Sequence, residues 1–169
     1  MASTETTLFL VRHGDRWDFA NRDKWKSAAT THGFEARDPP LSGLGHEQAR
    51  STGIELAAQG VDVILSSPYL RAIQTAQPLA DSCELSIGIE EGLAEVHHVI
   101  GSIPTPVQRF PCFPQVDLAY EPMLTIQPTD FEAGGRSCER FPLDYLRRML
   151  RLASLLSQRY RGQHSVLNG

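Results

Sequence analysis

The apolar run Leu8-Phe9-Leu10-Val11 stops abruptly at Arg12-His13-Gly14, and this junction constrains the chain more than any other stretch. Four consecutive apolar residues closed by a charged, glycine-containing loop read as a strand of a parallel sheet, buried on both faces. Such a strand needs helices against it, so strand and helix should alternate. Ser42 is suited to cap a helix running through about Gln59, with Gly60 as its C-terminal stop. Val61-Asp62-Val63-Ile64-Leu65 predicts a second strand. After it, Ser67 reads as an N-cap and Pro68 as the first residue of a helix reaching about Ala80. The expected class is α/β, with ligands bound beyond the carboxyl ends of the strands.

The rest of the chain fits that class. From Ile100 to Pro128 it is Pro-rich, with Phe110, Phe113 and Tyr120 and little periodicity, and predicts an inserted loop or lid spanning about 100–135 rather than a second domain. Tyr145, Leu146, Met149, Leu150, Ala153, Leu156 and Tyr160 recur at three- and four-residue spacing. They predict the core-facing stripe of a helix from about Phe141 to Tyr160. Ser165-Val166-Leu167 then reads as the opening of a strand.

Composition narrows the partners. With 169 residues, 41% of them hydrophobic, the chain fits one globular domain with a true core. A net charge of −4 gives no attraction to nucleic acid or an anionic membrane, so an anionic ligand must meet a local basic pocket. The first residues carry neither a signal-peptide pattern nor a span-length apolar run. Cys83, Cys112 and Cys138 form no C-x-x-C pair, which fits a reducing cytoplasm and neither a zinc site nor a disulfide framework. His97 and His98 are adjacent and would point apart, so they predict no metal site. His32, His46 and His164 read as surface or loop residues, and no cofactor is expected.

The chemistry concentrates at the two strand ends. Arg12 and Arg16 flank His13, and Gly14 lets backbone come close to a ligand. Guanidinium forks match phosphoryl oxygens and keep their charge, while a neutral imidazole held in one tautomer is a competent nucleophile. Arg71 follows the second strand about one turn into its helix, where free N–H groups also favour a phosphate. Trp17 and Trp25 could line a substrate pocket or simply pack.

Together, L-F-L-V-R-H-G-D-R, P-P-L-S-G-L-G-H-E-Q-A, S-S-P-Y-L-R-A-I-Q-T-A and E-G-L-A-E resemble the histidine phosphatase superfamily, the phosphoglycerate mutase-like fold. R-H-G-D-R with Trp17-Asp18, P-P-L-S and E-G-L-A-E are most similar to its branch of ecdysteroid-phosphate phosphatases and T-cell ubiquitin ligand suppressors. The resemblance implies a three-layer, mostly parallel sheet flanked by helices. It implies His13 as the nucleophile that becomes phosphohistidine, Arg12 and Arg71 as phosphate ligands, and Arg16 as a further phosphate or substrate contact. Glu95 takes the place of the acid that protonates the leaving oxygen and later activates water, with Glu91 as its rival. The implied substrate is a phosphate ester, small or protein-borne, and the family admits a homodimer.

That family carries a second active-site histidine just after a strand like Ser165-Val166-Leu167-Asn168. Here Gly169 follows, which reads as a truncated domain. Three functions are therefore expected to compete: metal-independent phosphomonoester hydrolysis, mutase-type phosphoryl transfer, and a phosphate-binding regulatory form with weak or no turnover.

Overall fold

In the computed structural model, the described residues are 5–32, 38–95, 105–125, 131–132, 136–137 and 143–169. The elements in chain order are β1 (Thr7–Val11), α1 (Trp17–Ala20), a 3₁₀ turn (Arg22–Lys24), α2 (Trp25–His32), α3 (Gly43–Ala57) and β2 (Val63–Ser66). They continue with α4 (Leu70–Cys83), β3 (Ile87–Ile89), a 3₁₀ turn (Glu91–Leu93) and α5 (Pro106–Arg109). The last are β4 (Phe131–Glu132), β5 (Arg136–Ser137), α6 (Leu143–Arg159) and β6 (His164–Asn168). The main sheet has four strands in the order β1-β6-β2-β3, all parallel, and β4 and β5 form a separate antiparallel pair.

Alternation along the strands divides the core in two. Phe9, Ile64, Ile87, Ile89 and Val166 face α3 and α4, meeting Ile73, Ala76, Leu79 and Ala80. Leu8, Leu65 and Leu167 face the other way, against Leu152 and Leu156 of α6. Helices on both sides of a parallel sheet give the expected α/β layering.

Three local expectations need correction. β1 is not buried on both faces: among the described residues it lies at the edge of the sheet, and Leu10 on its α6 side is 81% exposed. The buried stripe of α6 runs through Leu152 and Leu156, while Leu146 and Leu150 are exposed. Leucines occupy both flanks of that helix, so period alone does not fix its phase; contact with Leu65 and Leu167 does. Finally, α4 begins at Leu70 with Tyr69 as its N-cap and no side-chain cap of its own. Its first N–H instead donates to Asp38 Oδ1 at 2.7 Å, from a residue 32 positions earlier.

The expected cap of α3 stands. Ser42 caps α3, its hydroxyl accepting from the Gly45 N–H at 3.1 Å, and Gly60 follows that helix with a positive φ of 74°. In the Pro-rich stretch, the described part packs against the sheet: Phe113 and Val116 enter the core, and Val116 bridges to Ile87. His97, His98 and Cys138 lie outside the described residues, as does Phe141, the expected first residue of the last helix. Cys83 and Cys112 are free thiols.

Candidate active site

The parallel order brings the ends of β1, β6 and β2 side by side. The middle strand ties its neighbours together: His13 N–H donates to Gly169 O at 2.9 Å, Gly169 N–H to Val11 O at 3.0 Å, and Ser67 N–H to Asn168 O at 2.9 Å. The loops after β1 and β2 therefore open on a common cleft of about 400 Å³. Arg12, His13, Arg16, Arg71 and Glu95 all line it, so two loops and the turn after β3 bring the five residues together. A smaller lobe of about 230 Å³ shares Arg12, His13 and Arg16 and continues to Asp15 and Gln48.

The first loop is held from below by α3. A Cβ on Gly14 would lie 2.6 Å from the carbonyl oxygen of Gly45, and one on Gly45 only 2.1 Å from that of Asp15. Both glycines thus admit the start of α3 against the loop, rather than admitting a ligand. Asp15 accepts from the Ser42 hydroxyl at 2.6 Å and its N–H donates to Gln48 at 2.8 Å. Gly14 N–H donates to Thr75 of α4 at 3.1 Å, joining the two arginine-bearing loops.

His13 is half-buried, with Nδ1 2.8 Å from the Gly14 carbonyl oxygen. A carbonyl only accepts, so in the neutral ring Nδ1 carries the proton and Nε2 keeps its lone pair. Burial lowers the imidazole pKa below the ordinary histidine range, and the Arg71, Arg16 and Arg12 charges add to this against the opposing pull of the Gly14 carbonyl.

Arg16 and Arg71 have distinct settings. Arg16 is clamped by both carboxylate oxygens of Asp18, at 2.9 and 2.7 Å, and its guanidinium lies 4.1 Å over the Phe19 ring. Arg71 is the second residue of α4, nearer the helix start than the sequence suggests, and is buried, stacking 4.2 Å over Tyr69. Its Nη2 donates to Glu95 Oε2 at 2.8 Å. Burial, with Arg16 nearby, lowers its pKa, so a second anion beside it is electrostatically welcome. Arg71 Nε and Ser67 Oγ are buried at this cleft with no hydrogen-bond partner among the described residues, donors that suit a tetrahedral oxyanion.

The three neighbouring carboxylates are sorted by position. Glu95 lines the cleft with its side chain 65% exposed, Glu91 is not among the lining residues, and Glu90 is fully buried. Phe19, Tyr69, Leu93 and Tyr145 complete the cleft wall. Tyr145, expected on a core-facing stripe, instead lines the cleft, and none of the four was expected on its wall, because they reach it from four separate elements; Phe110, Phe113 and Tyr120 do not line it. Trp17 and Trp25 pack on each other at 5.7 Å, and neither lines the cleft. Among the described residues no cluster of His, Cys, Asp or Glu could hold a metal ion, and no helix is long and apolar enough to cross a membrane.

Comparisons with known proteins agree with this architecture. Phosphoserine phosphatase 1 of Hydrogenobacter thermophilus is 33% identical over 91 residues, 54% of this chain and 39% of that protein. Probable phosphoglycerate mutase GpmB of Yersinia enterocolitica is 31% identical over 90 residues, 53% of this chain and 38% of that protein. The match thus spans about two fifths of these relatives' length. The ecdysone phosphate phosphatase from Bombix mori, solved with tungstate, superposes with a TM-score of 0.69 at 21% identity, covering 96% of this chain and 71% of that one. The pattern of the histidine phosphatase superfamily, branch 1, matches residues 8–102, more than half of the sequence, and the chain belongs to that superfamily.

Proposed function

We propose that this protein hydrolyses phosphate monoesters through a phosphohistidine on His13. The observation that carries the reading is the His13 ring itself, its Nδ1–H engaged by the Gly14 carbonyl and its Nε2 free, in a cleft lined by Arg12, Arg16 and Arg71. The Nε2 lone pair attacks phosphorus, and the P–O bond to the alcohol breaks on the opposite side. Once the phosphoryl group has taken its place on Arg71, Glu95 takes up a proton from solvent and passes it to the departing oxygen. A water then loses its proton to Glu95, attacks the phosphohistidine, and releases inorganic phosphate with His13 restored. Arg12, Arg16 and Arg71 hold the phosphoryl oxygens and offset their charge as it redistributes.

The cleft wall favours hydrolysis over mutase chemistry. Among the described residues, the wall around the arginines is aromatic and apolar, formed by Phe19, Tyr69, Leu93 and Tyr145, rather than by a second set of cations for an acidic sugar or glycerate. An aromatic or otherwise flat, apolar alcohol suits it. This matches the sequence resemblance to the ecdysteroid-phosphate phosphatase branch.

The test is to incubate the protein with an aryl phosphate carrying labelled phosphorus, quench in base, and map the acid-labile label. Label on the peptide containing His13, with release of inorganic phosphate, is expected. Isomerised sugar phosphate forming faster than phosphate release would replace the reading with a mutase.

A pH dependence follows. Protonated His13 cannot attack, and its pKa lies below the ordinary value, so the acid limb of kcat/KM should be centred below pH 6.5. The same depression makes the unfolded chain bind the proton first as pH falls, so this group's contribution to stability declines below about pH 6.5. An acid limb centred above the ordinary histidine value would contradict the assignment.

A further inference from the structure

We propose that Glu90 is a positioning residue, which holds the turn that sets Glu95 on Arg71. The proposal rests on the reading of Glu95 as a cleft carboxylate with a role in turnover. Glu90 follows β3 and is 0% exposed, yet among the described residues neither Arg nor Lys is its partner at either oxygen. Oε1 accepts from the Gly92 N–H at 2.9 Å and the Leu124 N–H at 3.2 Å. Oε2 accepts from the Met123 N–H at 2.8 Å and the Tyr120 hydroxyl at 2.9 Å. Burial and Glu90 itself raise the Tyr120 pKa, keeping that hydroxyl a donor. A buried carboxylate met by four donors is a rigid hub, since moving it would orphan all of them.

What the hub fixes is the approach to Glu95. The Leu93 N–H donates to Glu90 O at 3.0 Å and the Ala94 N–H to Glu91 O at 2.9 Å, closing the 3₁₀ turn that delivers Glu95. Gly92 is required inside it, because a Cβ there would lie 2.8 Å from Glu90 Oε1. Arg148 of α6 donates to Gly92 O at 2.6 Å, and Ala94 is buried against Tyr69 and Ala72 beside Arg71. Glu95 is thus delivered from a turn anchored on one side by Glu90 and on the other by α6. A purely structural Glu90 would tie residues 117–125 to the sheet without affecting what happens at Arg71.

The discriminating measurement is a binding cycle with inorganic phosphate on the 169-residue protein. In the free protein Glu95 sits where it competes for Arg71, so Glu95→Gln should tighten phosphate about fivefold, the scale of an exposed ion pair. Glu90→Gln places an amide N–H among N–H donors and loosens the turn. It should tighten phosphate about two- to fivefold alone, and not at all in the Glu95→Gln background. Tyr120→Phe, which removes one donor of the four, should show the same pattern more weakly and serves if Glu90→Gln does not fold. In turnover, Glu90→Gln should slow an alkyl phosphate more than a nitrophenyl phosphate, whose anion leaves without a proton. If Glu95→Gln tightens phosphate while Glu90→Gln and Tyr120→Phe do not, or if they act equally with Glu95 already replaced, the positioning role is overturned and the cleft reading survives. If Glu95→Gln itself leaves phosphate affinity unchanged, the cleft reading fails first.

Discussion

His13→Ala is expected to abolish the base-stable, acid-labile phosphoryl label and to lower aryl phosphate hydrolysis by about 10⁴–10⁶-fold, the scale on which losing a nucleophile acts. Phosphate affinity should change only a few-fold, because Arg12, Arg16 and Arg71 remain. The two readouts must separate: binding kept, covalent intermediate lost. Arg71, fixed as the second residue of α4 and not by His13, gives the reason, and so does Arg16, fixed by Asp18. A His13→Ala protein that still labels would mean that another group attacks phosphorus. Loss of label together with loss of phosphate binding would mean that the loop after β1 had collapsed, which thermal unfolding of the same variant would reveal.

Asp38→Ala should be the most destabilising single change away from the reacting atoms. Asp38 is 3% exposed and serves two partners at once: it pairs with the buried Arg109 guanidinium and accepts the first N–H of α4. Its removal leaves Arg109 charged and buried without its counter-ion, a loss of about 3–5 kcal/mol. It also strips the side-chain cap that α4 has for that N–H, of about 1 kcal/mol when measured alone. The two are coupled and should not simply add. The expected signature is a lower denaturant midpoint with an unchanged slope. Replacing both Asp38 and Arg109 by apolar residues of similar size should recover part of the loss. Arg109 also reaches Pro68 O at 3.4 Å, so the same variant should loosen the loop before Arg71 and weaken phosphate binding. An Asp38→Ala protein with unchanged midpoint would show that the pair contributes nothing net.

These two residues mark what could and could not be read along the chain. His13 was legible because its setting is local: an apolar strand, a charged loop, and a helix that follows. The same holds for Ser42, whose hydroxyl caps a helix three residues on, and for the strands around Phe9, Ile64 and Val166. Asp38 was not, since its partners lie 32 and 71 positions away and nothing beside it in the sequence announces them. Glu90 shows the same limit more sharply. In a string with Glu91 and Glu95 it looks like a solvated carboxylate, and only folding 117–125 over it turns it into a buried one. The aromatic wall of the cleft was missed for the converse reason, its members being individually ordinary and meaningful only once gathered. The edge position of β1 also depended on strand order, which short apolar runs do not encode.

Strand order has one more consequence, for how the protein folds. β1 is made first, but its hydrogen-bonding neighbour in the sheet is β6, with Thr7 opposite His164 and Val11 opposite Asn168. β2 likewise pairs with β6 on one side. Until residues 164–168 slot between them, the loop carrying His13 and the loop leading to Arg71 have no shared strand to bring them into register. Pairings of this sequence separation close late and slowly, after their loop entropy has been met. Residues 7–125 can form helices and the β2–β3 pair beforehand, but the phosphate cleft should appear in one step with β6, so chains ending before residue 164 should bind no phosphate.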